Sequence, residues 1–222
     1  MRNDLTVIYY TSNRERPEFE EKIEEDLLNK IGDLPLISVS QKPIDFGKNI
    51  CVGDVGVSQI NCRRQLLIGA KEAKTKFICA AEADFLYPEE YFEFVPEKEN
   101  VIRLAVRVWV LFAQRGKMCI YSPKPRGSEG AMVVGRDYIV NTLEAMLSGF
   151  ETWQYKREQD RRIPQLLSFG KFYPFECENP IVTFKTDNQM HRRTPHNLKK
   201  KTRDIPYWGN SNELLRRFSC VR

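Results

Sequence analysis

One stretch limits the fold of this chain more than any other: Lys76-Phe-Ile-Cys-Ala-Ala-Glu-Ala-Asp-Phe-Leu-Tyr-Pro88. Its apolar run, Phe77 to Ala81, is short and unbroken, the pattern of a central strand in a parallel sheet covered on both faces. Pro88 ends any regular strand, because it has no N–H to give to a ladder. Between the two lie Glu82 and Asp84. Open α/β sheets bind their ligands at the carboxyl ends of their strands, and residues two apart in an extended segment point to one side. Two hard oxygen ligands so placed suit Mg²⁺ or Mn²⁺, which in turn holds a diphosphate. The plainer alternative is a pair of acids that opens a solvated loop.

The elements before this strand fit such a sheet. Leu5 to Tyr10 is rich in β-branched and aromatic residues and reads as a first strand. Thr11 to Arg16 is a polar loop, and Pro17 suits the first turn of a helix. Phe19, Ile23, Leu27 and Ile31 form one apolar stripe, which Gly32 ends. Leu36 to Ser40 is a second strand, so the chain begins strand, helix, strand, a parallel right-handed crossover. Gln41 to Gly56 is a long loop of the sort that carries function. Ser58 to Lys74 is a second helix.

Beyond Pro88 the pattern changes. Glu89 to Phe94 is a short helix. Val101 to Phe112 is one run of β formers, Gln114 to Lys117 a turn, and Met118 to Tyr121 a return strand, together an antiparallel hairpin added to the sheet. Ser122 to Gly130 is a Pro/Gly loop. Ala131 to Val134 is a strand, Arg136 to Leu147 a helix, and Trp153 to Leu167 a charged helix. Ile181 to Lys185 is a last strand, and Ile205 to Gly209 an aromatic anchor before a helix over Ser211 to Phe218. The expected fold class is therefore α/β: a mixed, mainly parallel, Rossmann-like sheet flanked by helices, with an antiparallel hairpin in the second half, in a single domain of 222 residues.

Composition excludes several classes. With 41% hydrophobic and 29% charged residues this is an ordinary globular chain. None of the six cysteines forms a C-x-x-C pair, so neither a zinc cluster nor a redox motif is indicated, and Cys62 and Cys79 read as buried free thiols. The longest apolar run, Val106 to Ala113, is too short to span a bilayer. The N-terminus enters a strand directly with no signal peptide, and the expected location is the cytoplasm. The net charge of +5 is uneven. Residues 192–203 carry six Lys or Arg and no acid, a candidate contact for phosphates or a solvated tail.

Three segments carry a family resemblance. They are Tyr10-Thr-Ser-Asn-Arg14; Gly56-Val-Ser-Gln-Ile-Asn-Cys-Arg-Arg-Gln65 followed by Gly69, Ala70 and Ala73; and Lys76 to Asp84. In this order and spacing the first 88 residues resemble the nucleotide-sugar-binding half of glycosyltransferases of the GT-A fold. Residues 89–185 then correspond to the acceptor half, and 186–222 form a basic C-terminal segment. The resemblance departs at two points: Glu82-Ala83-Asp84 stands where the metal motif usually begins with Asp, and Arg64-Gln65 where an Arg-Asn pair is usual.

The resemblance implies transfer of a sugar from a nucleotide diphosphate sugar, most often a UDP-sugar. Mn²⁺ or Mg²⁺ is held by Asp84, with Glu82 direct or through water. Tyr10 stacks on the base or is simply a core aromatic, Thr11 and Asn13 read the base edge, and Glu82 and Ala83 lie beside the nucleotide sugar. Either Arg63 or Arg64 clamps the diphosphate. A third metal ligand, His191 first and His196 second, follows the last strand, although either histidine equally suits the surface of a basic loop. The general base of an inverting reaction is Asp160 first and Glu158 second, although both acids equally suit ion pairs on a solvated helix. The basic residues Lys124, Arg126, Arg192, Arg193, Lys199, Lys200 and Lys201 favour a polyanionic acceptor. The whole pattern resembles small phage-type glycosyltransferases, some of which modify hydroxymethylated pyrimidines such as hydroxymethylcytosine in DNA. Tyr207 and Trp208 are either stacking groups for an extruded base or an anchor for the last helix. A glycan or small-molecule acceptor and a non-catalytic nucleic-acid-binding module are the other readings. A nucleotidyltransferase lacks its Gly-rich loop, since Thr11 to Arg16 contains no glycine.

Overall fold

The computed structural model describes residues 4–112, 120–124, 127–150, 152–153, 166, 170–186, 188 and 200–218. The first strand, β1 (Leu5–Tyr10), runs into α1 (Pro17–Ile31), then β2 (Leu36–Ser40), β3 (Lys48–Cys51), α2 (Gln59–Glu72) and β4 (Phe77–Glu82). The sequence anticipates all of these except β3. That strand is a short, partly exposed edge with no apolar alternation, held by Asn49 Nδ2 on Ser38 Oγ and Ser40 Oγ, both at 2.9 Å.

The second half contains β5 (Phe85–Leu86), α3 (Glu89–Glu93), β6 (Ile102–Ala105), β7 (Val108–Phe112), β8 (Ile120–Pro123), β9 (Met132–Gly135) and α4 (Arg136–Leu147). It continues with β10 (Phe172–Phe175), β11 (Ile181–Lys185), β12 (Asp204–Ile205), β13 (Gly209–Asn210) and α5 (Ser211–Arg217). The main sheet has the order β10-β6-β9-β4-β1-β2-β3. All its pairs are parallel except those of β9, which lies antiparallel between β4 and β6. The mainly parallel, helix-flanked α/β class is thus the observed one.

One expectation fails in placement. The run Val101 to Phe112 is not one strand but two, broken at Val106–Arg107. Val106 N–H donates to Phe175 O in the main sheet at 3.1 Å, while Arg107 O accepts from Ile181 N–H at 3.0 Å. The antiparallel pair β7–β8 therefore belongs to a separate four-stranded sheet, β5-β11-β7-β8, rather than to the parallel sheet. A continuous run of β formers cannot signal that its two ends serve different sheets. Strand β10 is missed because it holds Pro174, which an edge strand tolerates. The expected helix from Trp153 to Leu167 lies almost wholly outside the described residues.

Packing follows the strand period. Leu5, Val7 and Tyr9 face a core shared with Leu27 and Ile31 of α1, while Ile8 and Tyr10 face α2 and α4. Gly69 in α2 makes the second contact close: a Cβ there would lie 2.4 Å from Ile8 Cγ2. The first half of α1, with Phe19 and Ile23, packs instead on Val182 and Phe184 of the second sheet and on Phe218. So α1 spans both sheets and fixes the end of β11 beside the end of β4. No helix among the described residues is long and apolar enough to cross a membrane.

Candidate functional site

A cleft of about 200 Å³ opens at the carboxyl ends of β1 and β4, lined by Tyr10, Thr11, Glu20, Asn61, Glu82, Ala83, Asp84 and Lys185 among others. Strands β1 and β4 are in register with Tyr10 opposite Glu82, so the two side chains meet on one face. Tyr10 Oη donates to Glu82 Oε1 at 2.7 Å. The phenol is pushed well above its ordinary pKa, by burial and then by the charge of Glu82, so it stays protonated and donates. Burial, reinforced by the negative charge of Asp84, raises the Glu82 carboxyl. The backbone is tied down as well: Glu82 N–H donates to Tyr87 Oη at 3.0 Å, and Tyr87 Oη donates to Gly130 O at 2.6 Å.

Gly130 covers the Glu82 carboxylate closely. A Cβ at this position would lie 2.8 Å from both Oε1 and Oε2. Direct approach to Glu82 is restricted on that side, whereas Asp84 lines the cleft with about a quarter of its side chain exposed. The sequence expects an extended Glu82-Ala-Asp84. The strand instead ends at Glu82 and turns at Ala83–Asp84, yet both acids still line the cleft. Asp84 is met from the second sheet: Thr183 Oγ1 and Lys185 Nζ reach Asp84 Oδ2 at 3.5 and 3.4 Å.

Two carboxylates that crowd one another at the floor of a cleft fit a hard divalent cation. The lining has four carboxylates, Glu15, Glu20, Glu82 and Asp84, against two cations, Arg14 and Lys185. Among the described residues no group of three or more His, Cys, Asp or Glu is disposed to hold a metal. The expected third ligands, His191 and His196, lie outside the described residues. So do the expected bases Asp160 and Glu158, and Arg126, Arg192, Arg193 and Lys199.

Other residues are placed as follows. Arg63 is buried and forms an ion pair with Glu129, and it acts electrostatically on Glu82. Its Nε is buried without a hydrogen bond. Arg64 turns away from the cleft: its guanidinium donates to Phe150 O and Thr152 O and lies 5.3 Å from the Trp153 ring centre. Of the two arginines, only Arg63 stands beside the acids.

Asn13 does not line the cleft. Its Oδ1 accepts from the N–H groups of Gln41 and Lys42, both at 2.9 Å, and its Nδ2 donates to Glu20 Oε2 at 3.1 Å, so its amide ties loops together. Thr11 lines the cleft, but its hydroxyl donates to Glu20 Oε1 at 3.1 Å. The Tyr10 ring is buried in the wall with its hydroxyl engaged. Lys124 Nζ donates to Ser128 Oγ at 2.7 Å and also acts on Glu82. Lys200 and Lys201 are exposed, with Lys200 Nζ 5.9 Å from the Trp109 ring centre. Trp208 Nε1 donates to Pro180 O at 2.6 Å, which is the anchor role, while Tyr207 stays about half exposed.

Sequence reasoning missed Glu15, Glu20, Asn61, Cys62, Gln65 and Lys185 as cleft residues. Thr183 and Lys185 carried a usable signal: polar residues two apart at the carboxyl end of a buried strand share a face. The Cys62 thiol, pushed up to about 12 by burial, is no nucleophile at neutral pH.

No protein-family model matches the chain, and no curated protein matches it. Solved structures give distant likenesses. A glycosyltransferase involved in the glycosylation of the major capsid of PBCV-1 matches at 11% identity and a TM-score of 0.45, over 81% of this chain and 91% of that one. The bifunctional IspDF of Campylobacter jejuni matches at 10% identity and a TM-score of 0.43, over 80% of this chain and 50% of that one. The apo-form glycosyltransferase GlyE of Streptococcus pneumoniae TIGR4 matches at 8% identity and a TM-score of 0.47, over 77% of this chain and 45% of that one. The chain thus spans about half the length of the last two.

Proposed function

We propose that the protein is a metal-dependent glycosyltransferase that moves a sugar from a nucleotide diphosphate sugar, UDP-sugar first, to a hydroxyl acceptor. The observation that carries this reading is the crowded pair Glu82 and Asp84 at the carboxyl end of a central parallel strand, in a cleft whose lining has more carboxylates than cations. A divalent cation would offset the negative charge that an incoming diphosphate meets there. Asp84 would hold Mn²⁺ or Mg²⁺ directly and Glu82 through water, and the ion supplies electrostatic stabilisation of the leaving diphosphate.

The chain's own residues do the rest. The Tyr10 hydroxyl fixes Glu82 in one orientation, and its hydrogen bond favours the carboxylate against the pull of burial. Gly130 shields Glu82 from bulk water. Arg63, locked by Glu129, adds a fixed positive field on the same side. The base that takes the acceptor proton is Asp160, then Glu158, on the strength of the sequence resemblance. The acceptor that suits the exposed Lys200 and Lys201 and the basic run beyond them is a polyanion, and the best candidate is a hydroxymethylated pyrimidine in phage DNA. That acceptor implies work in the cytoplasm of an infected bacterium.

The test is a mass analysis of nucleosides from hydroxymethylcytosine DNA incubated with the protein, Mn²⁺ and a panel of nucleotide sugars. A hexose or pentose added to the base is the expected result. Diphosphate release without a change in base mass would retain the transferase and discard DNA as its acceptor. Neither signal from folded protein would leave a nucleic-acid-binding module.

A further inference from the structure

Lys185 sits where the proposed cation belongs. It is the last residue of β11, a strand whose Phe184 N–H donates to the backbone carbonyl of Asp84 at 2.8 Å. That bond and the Thr183 contact fix the strand end against the acid, so the Lys185 stem has a set origin. The ammonium is 3.4 Å from Asp84 Oδ2, and both side chains are about four-fifths buried, at 19% and 23% exposure. Nearby, Glu15 accepts from Thr186 Oγ1 at 2.5 Å and feels the charge of Asp84, so a second acid stands close to the Lys185–Asp84 pair.

We propose that Lys185 is a tethered counter-ion: it neutralises Asp84 before the substrate arrives, and it passes to the diphosphate oxygens when a divalent ion takes the carboxylate. This rests on the reading of the cleft as a metal and nucleotide-sugar site. The chemistry favours a lysine in that part. Its charge is compact, its stem flexible, and its three N–H donors serve a carboxylate or a phosphate equally well. In this arrangement the ammonium competes with the metal alone but cooperates with the metal–nucleotide pair. An isolated surface ion pair has no reason to show that opposition of signs.

The experiment titrates Mn²⁺ alone, followed by electron paramagnetic resonance of the free ion, and then UDP by calorimetry at saturating Mn²⁺. It uses the wild type, Lys185→Met and Lys185→Arg, with melting temperatures to confirm folding. Lys185→Met is expected to bind Mn²⁺ about tenfold more tightly and UDP with Mn²⁺ about tenfold more weakly, the scale of one hydrogen bond to a charged group. Lys185→Arg is expected to stay near wild type in both. Mn²⁺ affinity no higher in Lys185→Met than in wild type, or an unchanged UDP affinity, would overturn the assignment while leaving the enzyme reading intact. A wild type that takes up neither Mn²⁺ nor UDP would overturn both. If Lys185→Met does not fold, Lys185→Gln answers the same question.

Discussion

The hydroxyl of Tyr10 is the strongest of the groups that hold the Glu82 carboxyl down. Burial and the neighbouring Asp84 favour the protonated carboxyl, and the Tyr10 hydrogen bond opposes them. Removing that hydroxyl in Tyr10→Phe raises the Glu82 pKa further. On the proposed metal-site reading the deprotonated form is the active one, so the acid limb of the pH–rate profile moves to higher pH. At neutral pH kcat/KM falls by about tenfold, the cost of one hydrogen bond to a charged group. Profiles of the two proteins measured side by side check this, and an unmoved acid limb would show that Glu82 is not required ionised. At this scale the sequence is only partly legible. Glu82 and Asp84 stand out because a buried strand runs into them. The Arg63–Arg64 choice does not, since adjacent helix residues differ by a rotation of about 100° whose origin only packing fixes. Asn13 looks like a base reader from its loop, but its amide is taken up by Gln41, Lys42 and Glu20, partners far apart in the chain or on another element.

At the scale of elements, α1 carries an electrostatic burden. Burial raises the carboxyls of Glu20 and Asp26, and it raises that of Glu24, beneath the Tyr9 hydroxyl, to about 7. The folded state therefore holds these protons more tightly than the unfolded chain. The resulting stability is complete below the ordinary carboxylate range and is lost as the pH rises toward about 7. The melting temperature is expected to fall as pH is raised from about 5 to about 8, and Glu24→Gln is expected to flatten that slope. A wild-type melting temperature that climbs steadily over the same window would contradict the account. Helix α1 itself is plain in the sequence, from Pro17 and the four-residue stripe to Gly32. Its double duty is not: Phe19 and Ile23 pack on one sheet while Leu27 and Ile31 pack on the other, and a periodic stripe says only which face is buried. The same gap explains the division of Val101 to Phe112, whose pairing partners lie some seventy residues downstream.

For the whole molecule, the central claim is that two sheets converge on one cation-dependent cleft. The main sheet brings Tyr10, Glu82 and Asp84; the second sheet brings Lys185 to Asp84. The parallel half was readable because βαβ units are local and chirally constrained. The second sheet was not, because β5, β11 and β7 join through contacts that no local pattern announces. The measurement that reaches the claim most directly is chromatographic detection of nucleoside diphosphate released from UDP-sugars by the wild type and by Asp84→Asn, with Mn²⁺ and with a chelator. Release by the wild type that needs Mn²⁺ and drops by about 10²-fold or more in Asp84→Asn is the predicted result. Equal release by the two proteins, or release indifferent to the chelator, would contradict it.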